Sequence, residues 1–298
     1  MKKHWILLAL ASALLLTACS GSAAADITAV KAPPEARTAE PQSDSPAVPE
    51  YQPPEYEITP MVYGSQFQAE DGSGEVLAQY NYQIVLLALH NADAVSPEDL
   101  ETAERNIENF NAKMDSISSD LVEQGKSMAD DAASTYQEFG PLTAGYEDDV
   151  DGSAEFCGDI VSVCYHRNTY SGGAHPNRYS SSYLFDLNAG QFIDPTQLAE
   201  DPEAFRTGVA ELLLAQAENH SEQEMFWQDY KEIVERWSEA TVQFSGDGMR
   251  VTFSPYELGP YAIGEVEMSL SWEELEPLLG KTGMLRLGHP PEGEISES

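Results

Sequence analysis

The sequence predicts an α+β fold in which antiparallel sheets pack against helices in two sequential subdomains. Segments with alternating apolar residues occur in clusters joined by turns that contain Gly or Asn, as expected for antiparallel strands. One long stretch instead places apolar residues three and four positions apart, which predicts a helix. Strands and helices do not alternate regularly, so a parallel βαβ sheet is not expected.

The N-terminus has the features of a lipoprotein signal. Lys2 and Lys3 precede an apolar run at residues 5–16, and small residues lead to Cys19. The run is shorter than the roughly 20 residues that cross a bilayer, so we expect a signal peptide at residues 1–18 and a lipid on Cys19. This lipid is expected to be the only membrane contact, on the extracellular face of the cytoplasmic membrane. An ordinary signal peptide with a chance cysteine is the alternative.

Two further segments are expected to lack a packed core. Residues 19–56 are rich in Pro, Ala and Glu, with seven prolines, and predict a disordered tether. Residues 281–298 predict a flexible tail. Between them we expect an N-terminal α+β partner domain at residues 57–140 and a C-terminal α+β domain at residues 141–280.

The predicted N-terminal domain combines a hairpin with a long helix. Alternating apolar residues from Gly74 to His90 predict a strand, and the DGSG before it can close a hairpin with GSQFQA. Ser96 followed by Pro97 predicts a helix start. The helix is expected to reach Phe139, with one apolar stripe at Leu100, Ala103, Ile107, Phe110, Met114, Ile117 and Leu121.

The predicted C-terminal domain begins with three strands, in LTAGYEDDVDG, FCGDIVSVCYHRNTY and NRYSSSYLFDL. The dipeptide Asp201-Pro202 predicts a helix start, and Ser221 to Glu224 forms a capping-box pattern that predicts a second helix. A hairpin closed by GDG, a strand around Met268 and a last helix capped by Ser271 complete the domain.

Cys157 and Cys164 are the cysteines that follow the expected lipidation site. On one extended strand they would lie about 23 Å apart, at about 3.3 Å per residue, and on opposite faces. A disulfide joins Cα atoms less than about 7 Å apart. We therefore expect two free, buried thiols, unless a turn at Gly158-Asp159 folds the segment back.

The formal net charge of −36 bears on the possible partners. Nucleic acid is not expected, because phosphate binding relies on Lys and Arg. An acidic surface attracts basic proteins, basic peptides and metal ions, although solubility alone also explains it. GxGxxG, P-loop, GxSxG and HExxH patterns are missing, so no cofactor is predicted and a binding protein is favoured over an enzyme.

The loop between the second and third strands of the C-terminal domain is the first candidate site. Its two glycines permit positive φ and close backbone approach, and they stand beside a histidine. The candidate binding residues are Ser171, Gly172, Gly173, His175 and Asn177. A catalytic alternative pairs His175 with Asp186 as acid and base. A structural turn is the simpler interpretation.

Two other segments contain candidate residues. The acidic run EDDVDG resembles the start of a calcium loop with Asp149 and Asp151 as ligands, but Gly158 stands at the twelfth position, where a bidentate Glu is required. A solvated acidic turn is favoured there over a metal site. In SPYELGPYAIGE, Tyr256 and Tyr261 lie on a loop braced by Pro and Gly, where they are candidates for a contact surface or for core packing.

A resemblance to a known family rests on three segments. They are YSGGAHPN, YLFDLNAGQFID and, after two helices, VTFSPYELGPYAIGEVEMSLSWEEL. In these segments the chain resembles the RsiV/PdaC-type extracellular domain of unknown function, over residues 142–279. Residues 57–139 are similar to the partner domain that commonly precedes it.

The resemblance implies recognition at the cell wall, since RsiV senses lysozyme and PdaC is a peptidoglycan deacetylase. No deacetylase motif occurs here, and only Met1 to His4 precede the apolar run, so we expect the extracellular domain alone to correspond. The implied function is a lipid-anchored binding protein for a cell-wall glycan or a basic wall-active protein such as lysozyme. The alternatives are a cell-wall hydrolase or transferase that uses His175 and a structural envelope lipoprotein.

Overall fold

The computed structural model describes residues 51–289. The expected signal peptide, Cys19, the tether up to residue 50 and the tail from residue 290 lie outside the described residues. The helices and strands are β1 (Tyr56–Gln68), β2 (Val76–Leu89), α1 (Pro97–Phe139), β3 (Tyr146–Cys157), β4 (Ile160–Tyr170), β5 (Asn177–Asp186), β6 (Gln191–Ile193), α2 (Pro202–Glu218), α3 (Tyr230–Glu235), β7 (Thr241–Ser245), β8 (Gly248–Phe253), β9 (Val266–Ser271) and α4 (Trp272–Arg286). The predicted α+β class is confirmed.

A six-stranded sheet in the order β1-β2-β3-β4-β5-β6 forms the centre of the molecule. Its pairs are antiparallel except for β2 and β3, which run parallel from Ala78 opposite Tyr146 to Tyr82 opposite Val150. The chain leaves this sheet through α1 and returns to it as β3. The sheet is thus continuous across residue 140, and the division into two folding units there stays a prediction.

Helix α1 has 43 residues and covers one face of the six-stranded sheet. Its start is the predicted one, because the Ser96 hydroxyl accepts the Asp99 N–H at 3.2 Å and Pro97 occupies the first turn. The predicted apolar stripe faces the sheet, where the Phe110 and Phe185 rings pack edge to face with their centroids 5.3 Å apart. Gly125 lets the helix approach closely, since a Cβ there would lie 2.5 Å from the Tyr80 ring.

A buried ion pair lies between α1 and the sheet. The Arg167 guanidinium donates two hydrogen bonds to the Asp148 carboxylate, at 2.7 and 2.6 Å, and the Tyr82 hydroxyl donates a third at 2.7 Å. Arg167 also donates to the Gln124 side chain of α1 at 2.8 Å. Because each charge has a partner, this network tolerates burial and links β2, β3, β4 and α1.

Strand β2 extends beyond the residues that pair with β3, and there a side chain of α1 supplies the hydrogen-bond partner that a neighbouring strand would. The side-chain amide of Asn111 accepts the Leu87 N–H at 2.9 Å and donates to the Leu87 carbonyl at 3.0 Å, as a neighbouring strand would. The Val85 N–H similarly points away from β1 and donates to the Tyr165 hydroxyl at 3.4 Å. On the other side of β2, Pro60 of the edge strand β1 lies opposite Val85.

We predict that Asn111→Ala lowers the free energy of unfolding by about 1–3 kcal/mol. The substitution leaves the N–H and the carbonyl of the buried Leu87 without their partner. Urea denaturation measures the difference, and Glu108→Ala on the exposed face of the same helix is the control. An equal effect of the two substitutions would mean that the Asn111 amide does not replace a strand.

The opposite face of the sheet carries a second layer. It contains the three-stranded sheet β7-β8-β9 and helices α2, α3 and α4 around one apolar core. β7 is an edge strand, and it contacts the large sheet through its own backbone donors. The Val242 N–H donates to the Ser182 hydroxyl at 2.7 Å, and the Phe244 N–H donates to the Ser162 hydroxyl at 3.0 Å.

The second helix of the predicted C-terminal domain differs from expectation. Ser221 to Glu224 does not form a capping box, and the segment contains short 3-10 turns before the six-residue α3. The physical reason is a tertiary contact, because the Trp227 N–H donates to the Leu258 carbonyl at 2.8 Å. This bond holds the chain out of the helical path.

The C-terminal helix α4 agrees with its predicted start and extends further than expected. Ser271 and Glu274 form the predicted capping box. The helix bends at Gly280, where φ is 69°, and then continues to Arg286. The buried Leu287 follows, so residues just past position 280 belong to the packed structure.

Cys157 and Cys164 are free and buried, as predicted, but the segment is not one strand. A turn at Gly158 and Asp159 folds it into the β3-β4 hairpin, in which Cys157 lies opposite Ile160. Cys164 is then four positions further along β4, roughly 13 Å away at about 3.3 Å per residue, which is too far for a disulfide. Burial raises the pKa of both thiols to about 12.

We predict that neither Cys157 nor Cys164 reacts with a thiol reagent in the native protein at pH 8. The thiolate is the reactive form, and both pKa values lie far above this pH. Mass-spectrometric peptide mapping after exposure to iodoacetamide locates any label, and the same reaction in 8 M urea is the positive control. Rapid native labelling of either cysteine would contradict the buried hairpin.

Candidate functional site

The β4-β5 loop has the geometry that its two glycines predict. Thr169 and Asn177 are the last paired residues, and the chain between them turns with φ of 89° at Gly172 and 100° at Gly173. The Tyr170 hydroxyl donates to the Gly173 carbonyl at 3.3 Å. Because both glycines have left-handed φ values, a side chain at either position would be strained.

The segment from Ser254 to Gly264 lies beside this loop. Its start is fixed to β5, because the Ser180 N–H donates to the Ser254 hydroxyl at 3.1 Å. Its middle is fixed by Trp227, whose indole N–H donates to the Tyr256 carbonyl at 3.1 Å. Two independent hydrogen bonds therefore position the tyrosines of this segment.

His175, Tyr256 and Tyr261 meet in one cluster. The His175 and Tyr261 rings stack with centroids 3.7 Å apart and planes 14° apart, and the Tyr256 centroid is 5.6 Å from that of Tyr261. His175 Nδ1 lies 2.9 Å from the Pro176 carbonyl, and Nε2 lies 3.4 Å from the Tyr256 hydroxyl. A proton on Nδ1 accounts for both contacts, with the Tyr256 hydroxyl donating to Nε2.

The cluster is part of a larger exposed area that we call the aromatic surface, formed by His175, Trp227, Tyr256 and Tyr261. Tyr256 is 53% exposed and Trp227 is 40% exposed. Exposed rings of this size are not needed for the core, since water covers them in the free protein. Three of these residues were predicted from the sequence, whereas Trp227 was missed because it fell within the helix predicted to start at Ser221. The adjacent aromatic pair Phe226-Trp227 was the available signal.

Tyr256 has a strained backbone. Its φ of 75° makes it the one non-glycine residue with positive φ between residues 51 and 289. Such a conformation costs about 1–3 kcal/mol and is retained where the surroundings enforce it. Here Glu257 enforces it, since its carboxylate accepts the Ser254 N–H at 2.6 Å and its own N–H donates to the Ser254 carbonyl at 3.0 Å. Strain at an exposed tyrosine makes Tyr256 a candidate functional residue.

We predict that Tyr256→Gly is more stable than Tyr256→Ala by about 1 kcal/mol. Both variants lose the ring, but only alanine keeps a Cβ that is unfavourable at positive φ. Tyr261 provides the matched control, because it begins a 3-10 turn in which alanine is favoured over glycine. Urea denaturation of the four variants should give opposite orders at the two positions. The same order at both would contradict strain at Tyr256.

The structure does not bring His175 and Asp186 together. His175 precedes β5 and Asp186 is the last residue of β5, so the length of the strand separates them, roughly 30 Å at about 3.3 Å per residue. The Asp186 carboxylate is instead paired with the Arg286 guanidinium at 2.6 Å and caps the following turn. Asp186 therefore has a structural role, and Asn177 and Ser171 lie at the exposed base and rim of the loop.

Asp149 and Asp151 lie on β3 and not in a turn. The strand predicted for this segment is confirmed, whereas the interpretation of the acidic run as a turn or calcium loop is wrong. The reason is the alternation in β3, in which Asp148 and Val150 are buried under α1 and the two aspartates face the other side. From residue 51 to 289 no three His, Cys, Asp or Glu side chains are grouped to hold a metal ion.

Comparison with known proteins relates this geometry to a family. Residues 200–273 match a DUF3298 domain, a family described as protein of unknown function. No curated protein is significantly similar to the chain.

Two solved structures of DUF3298 proteins are similar. A member of the family from Bacteroides fragilis is 16% identical with a TM-score of 0.53, and the match covers 78% of this chain and 96% of that one. A DUF3298 family protein from Pseudomonas aeruginosa is 15% identical with a TM-score of 0.41, and covers 75% of this chain and 96% of that one. At 16% identity, the similarity to the Bacteroides fragilis protein concerns the fold alone.

The DUF3298 match contributes three of the four rings of the aromatic surface. Trp227, Tyr256 and Tyr261 lie inside it, and His175 comes from the β4-β5 loop before it. The surface therefore joins the DUF3298 segment to the six-stranded sheet. Resemblance to the RsiV/PdaC type in particular and the lipid on Cys19 stay predictions.

Proposed function

We propose that this chain is a lipid-anchored extracellular binding protein that recognises a basic wall-active protein, such as lysozyme, through the aromatic surface. The observation that carries the proposal is the His175-Tyr261 stack at 3.7 Å beside the strained, exposed Tyr256. This arrangement holds aromatic rings in fixed positions and exposes them to solvent.

The composition of the surface supports a protein partner. Tyrosine and tryptophan are enriched among the residues that contribute most to protein–protein binding. Trp227 and Ser254 hold the segment by hydrogen bonds at 3.1 Å each, so a partner does not have to order it. Preorganisation of this kind lowers the entropic cost of association.

The charge supports a basic partner. The chain has a formal net charge of −36, and two exposed residues add carboxylates near the tyrosines, Glu257 within the tyrosine segment and Glu265 directly after it. A partner of opposite charge is attracted over a distance of about a Debye length and associates faster. Added salt should therefore lower the association rate more than it weakens the aromatic contacts of the complex.

The location is part of the proposal and rests on the N-terminal sequence. The basic start, the apolar run and Cys19 support a lipid anchor on the extracellular face. Within residues 51–289 no helix is long and apolar enough to cross a membrane.

A cell-wall component is the second candidate ligand, because tyrosine rings also stack on the apolar faces of other rings. The hydrolase or transferase hypothesis has less support. It requires a carboxylate near His175, whereas the described contacts of this ring are Pro176, Tyr256 and Tyr261. A structural envelope role has no specific observation in its favour.

We predict that Tyr256→Ala combined with Tyr261→Ala weakens lysozyme binding by the full-length protein at least tenfold. The double variant removes the two rings that flank His175 and leaves the charge unchanged. Titration calorimetry at physiological salt measures the affinity, and circular dichroism confirms the fold. Tyr51→Ala is the control, since Tyr51 is 51% exposed outside the aromatic surface.

Other outcomes separate the alternatives. Unchanged affinity in a folded double variant would reject the aromatic surface as the contact. Wild-type binding that disappears between low and physiological salt would reduce the interaction to charge alone. Saturable binding of solubilised peptidoglycan fragments without lysozyme binding would support the cell-wall component instead.

A further inference from the structure

We propose that a polar groove on the uncovered half of the six-stranded sheet is a binding site for an oligosaccharide, a neutral ligand rich in hydroxyl groups. The groove is a cavity of about 440 Å3 above β2, β3, β4 and β5. Its floor consists of residues outside the aromatic surface. The proposal depends on neither the lipid anchor nor a protein partner.

The floor contains two rows of polar side chains. The first row crosses four strands through directly opposed residues, which are Asn81, Asp149, Asn168 and Arg178. Neighbouring strands lie about 4.8 Å apart, so this row is roughly 14 Å long. Register alone therefore places two amides, a carboxylate and a guanidinium in one line.

The second row lies two residues away from the first on each strand and on the same face. Its members are Gln83, Asp151, His166 and Ser180. Contacts within the row fix it, because the Gln83 amide donates to Asp151 at 3.2 Å and His166 Nδ1 lies 2.8 Å from the Ser180 hydroxyl. The rows form a rigid polar floor on regular strands.

The groove exists because the second layer covers only half of the sheet. β7 lies over Ser162 and Ser182, Cys164 next to Ser162 on this face is still buried, and His166 is the first exposed residue of β4 toward the β4-β5 loop. Glu265 forms a wall, since its carboxylate accepts the Ser180 hydroxyl at 2.9 Å. The result is an open trough with a polar floor and an acidic wall.

The side chains of the groove match hydroxyl groups better than ions. Amides both donate and accept, as a sugar hydroxyl does. Three carboxylates, on Asp149, Asp151 and Glu265, disfavour an anionic ligand, and the Arg178 guanidinium adds charged N–H donors to these acceptors. A neutral ligand with many hydroxyl groups satisfies donors and acceptors of both kinds.

Two side chains of the floor are available to form hydrogen bonds with a ligand. Among residues 51–289, the side chains of Asn81 and Asp149 have no hydrogen-bond partner, although Asp149 is half-buried. Burial, together with Glu147 and Asp148, raises the pKa of the Asp149 carboxyl. A hydroxyl donor from a ligand would stabilise its charged form.

Titration calorimetry of the full-length protein against chitotriose, cellotriose and maltotriose tests the proposal. We expect saturable binding of at least one trisaccharide, and at least a tenfold loss of affinity in Asp149→Asn and in Arg178→Gln. Asp149→Asn keeps the size of the side chain, and Arg178→Gln removes the charge with a shorter side chain. Asn81→Ala at an exposed position is a third variant in case one of them fails to fold. Glu211→Gln, on the exposed face of α2, controls for the loss of one negative charge.

The variants distinguish this site from the aromatic surface. Tyr256→Ala with Tyr261→Ala should keep trisaccharide affinity within about twofold, while the groove variants should keep the affinity for lysozyme. Failure of all three trisaccharides to bind would overturn the proposal. Equal affinity in the wild type and the folded groove variants would overturn it too, as would a loss seen only in the aromatic double variant.

Discussion

The structure depends on the way in which an edge strand is docked on the face of a sheet. β7 presents backbone N–H groups that would be costly to bury without acceptors, and the hydroxyls of Ser162 and Ser182 accept them at 3.0 and 2.7 Å. These serines lie on neighbouring strands, so β7 crosses the large sheet instead of extending it. One half of the sheet is covered as a result, and the other half stays open to solvent.

Both proposed sites lie at the border of this docked layer, and Ser180 connects them. Its N–H is bonded to Ser254 at the start of the tyrosine segment, and its hydroxyl is bonded to Glu265 at 2.9 Å after that segment. The same hydroxyl contacts His166 in the polar floor. The aromatic surface and the groove are thus built on opposite sides of one residue, with chemically different contents.

Local patterns predicted local structure well and distant contacts poorly. The stripe in α1 and the Ser271 capping box were both correct because neighbouring residues determine them. The same capping pattern at Ser221 was wrong, because Trp227 bonds to residues around 30 positions away. The tyrosines and His175 were predicted separately, but the contact between His175 and Tyr256 joins residues 81 positions apart, and the polar rows require the register of four strands. No periodicity in the sequence contains that information.

Pro60 has a consequence for how these molecules behave beside one another. In an antiparallel pair, the N–H groups of two directly opposed residues point either both toward the partner strand or both away from it. Val85 is opposed to Pro60, and its N–H points away from β1. The nitrogen of Pro60 therefore faces the outer edge, where it has no hydrogen to donate. A second chain that approached β1 would find its ladder of donors interrupted midway along a 13-residue strand. The proline therefore disfavours the addition of a further strand at this edge of the sheet.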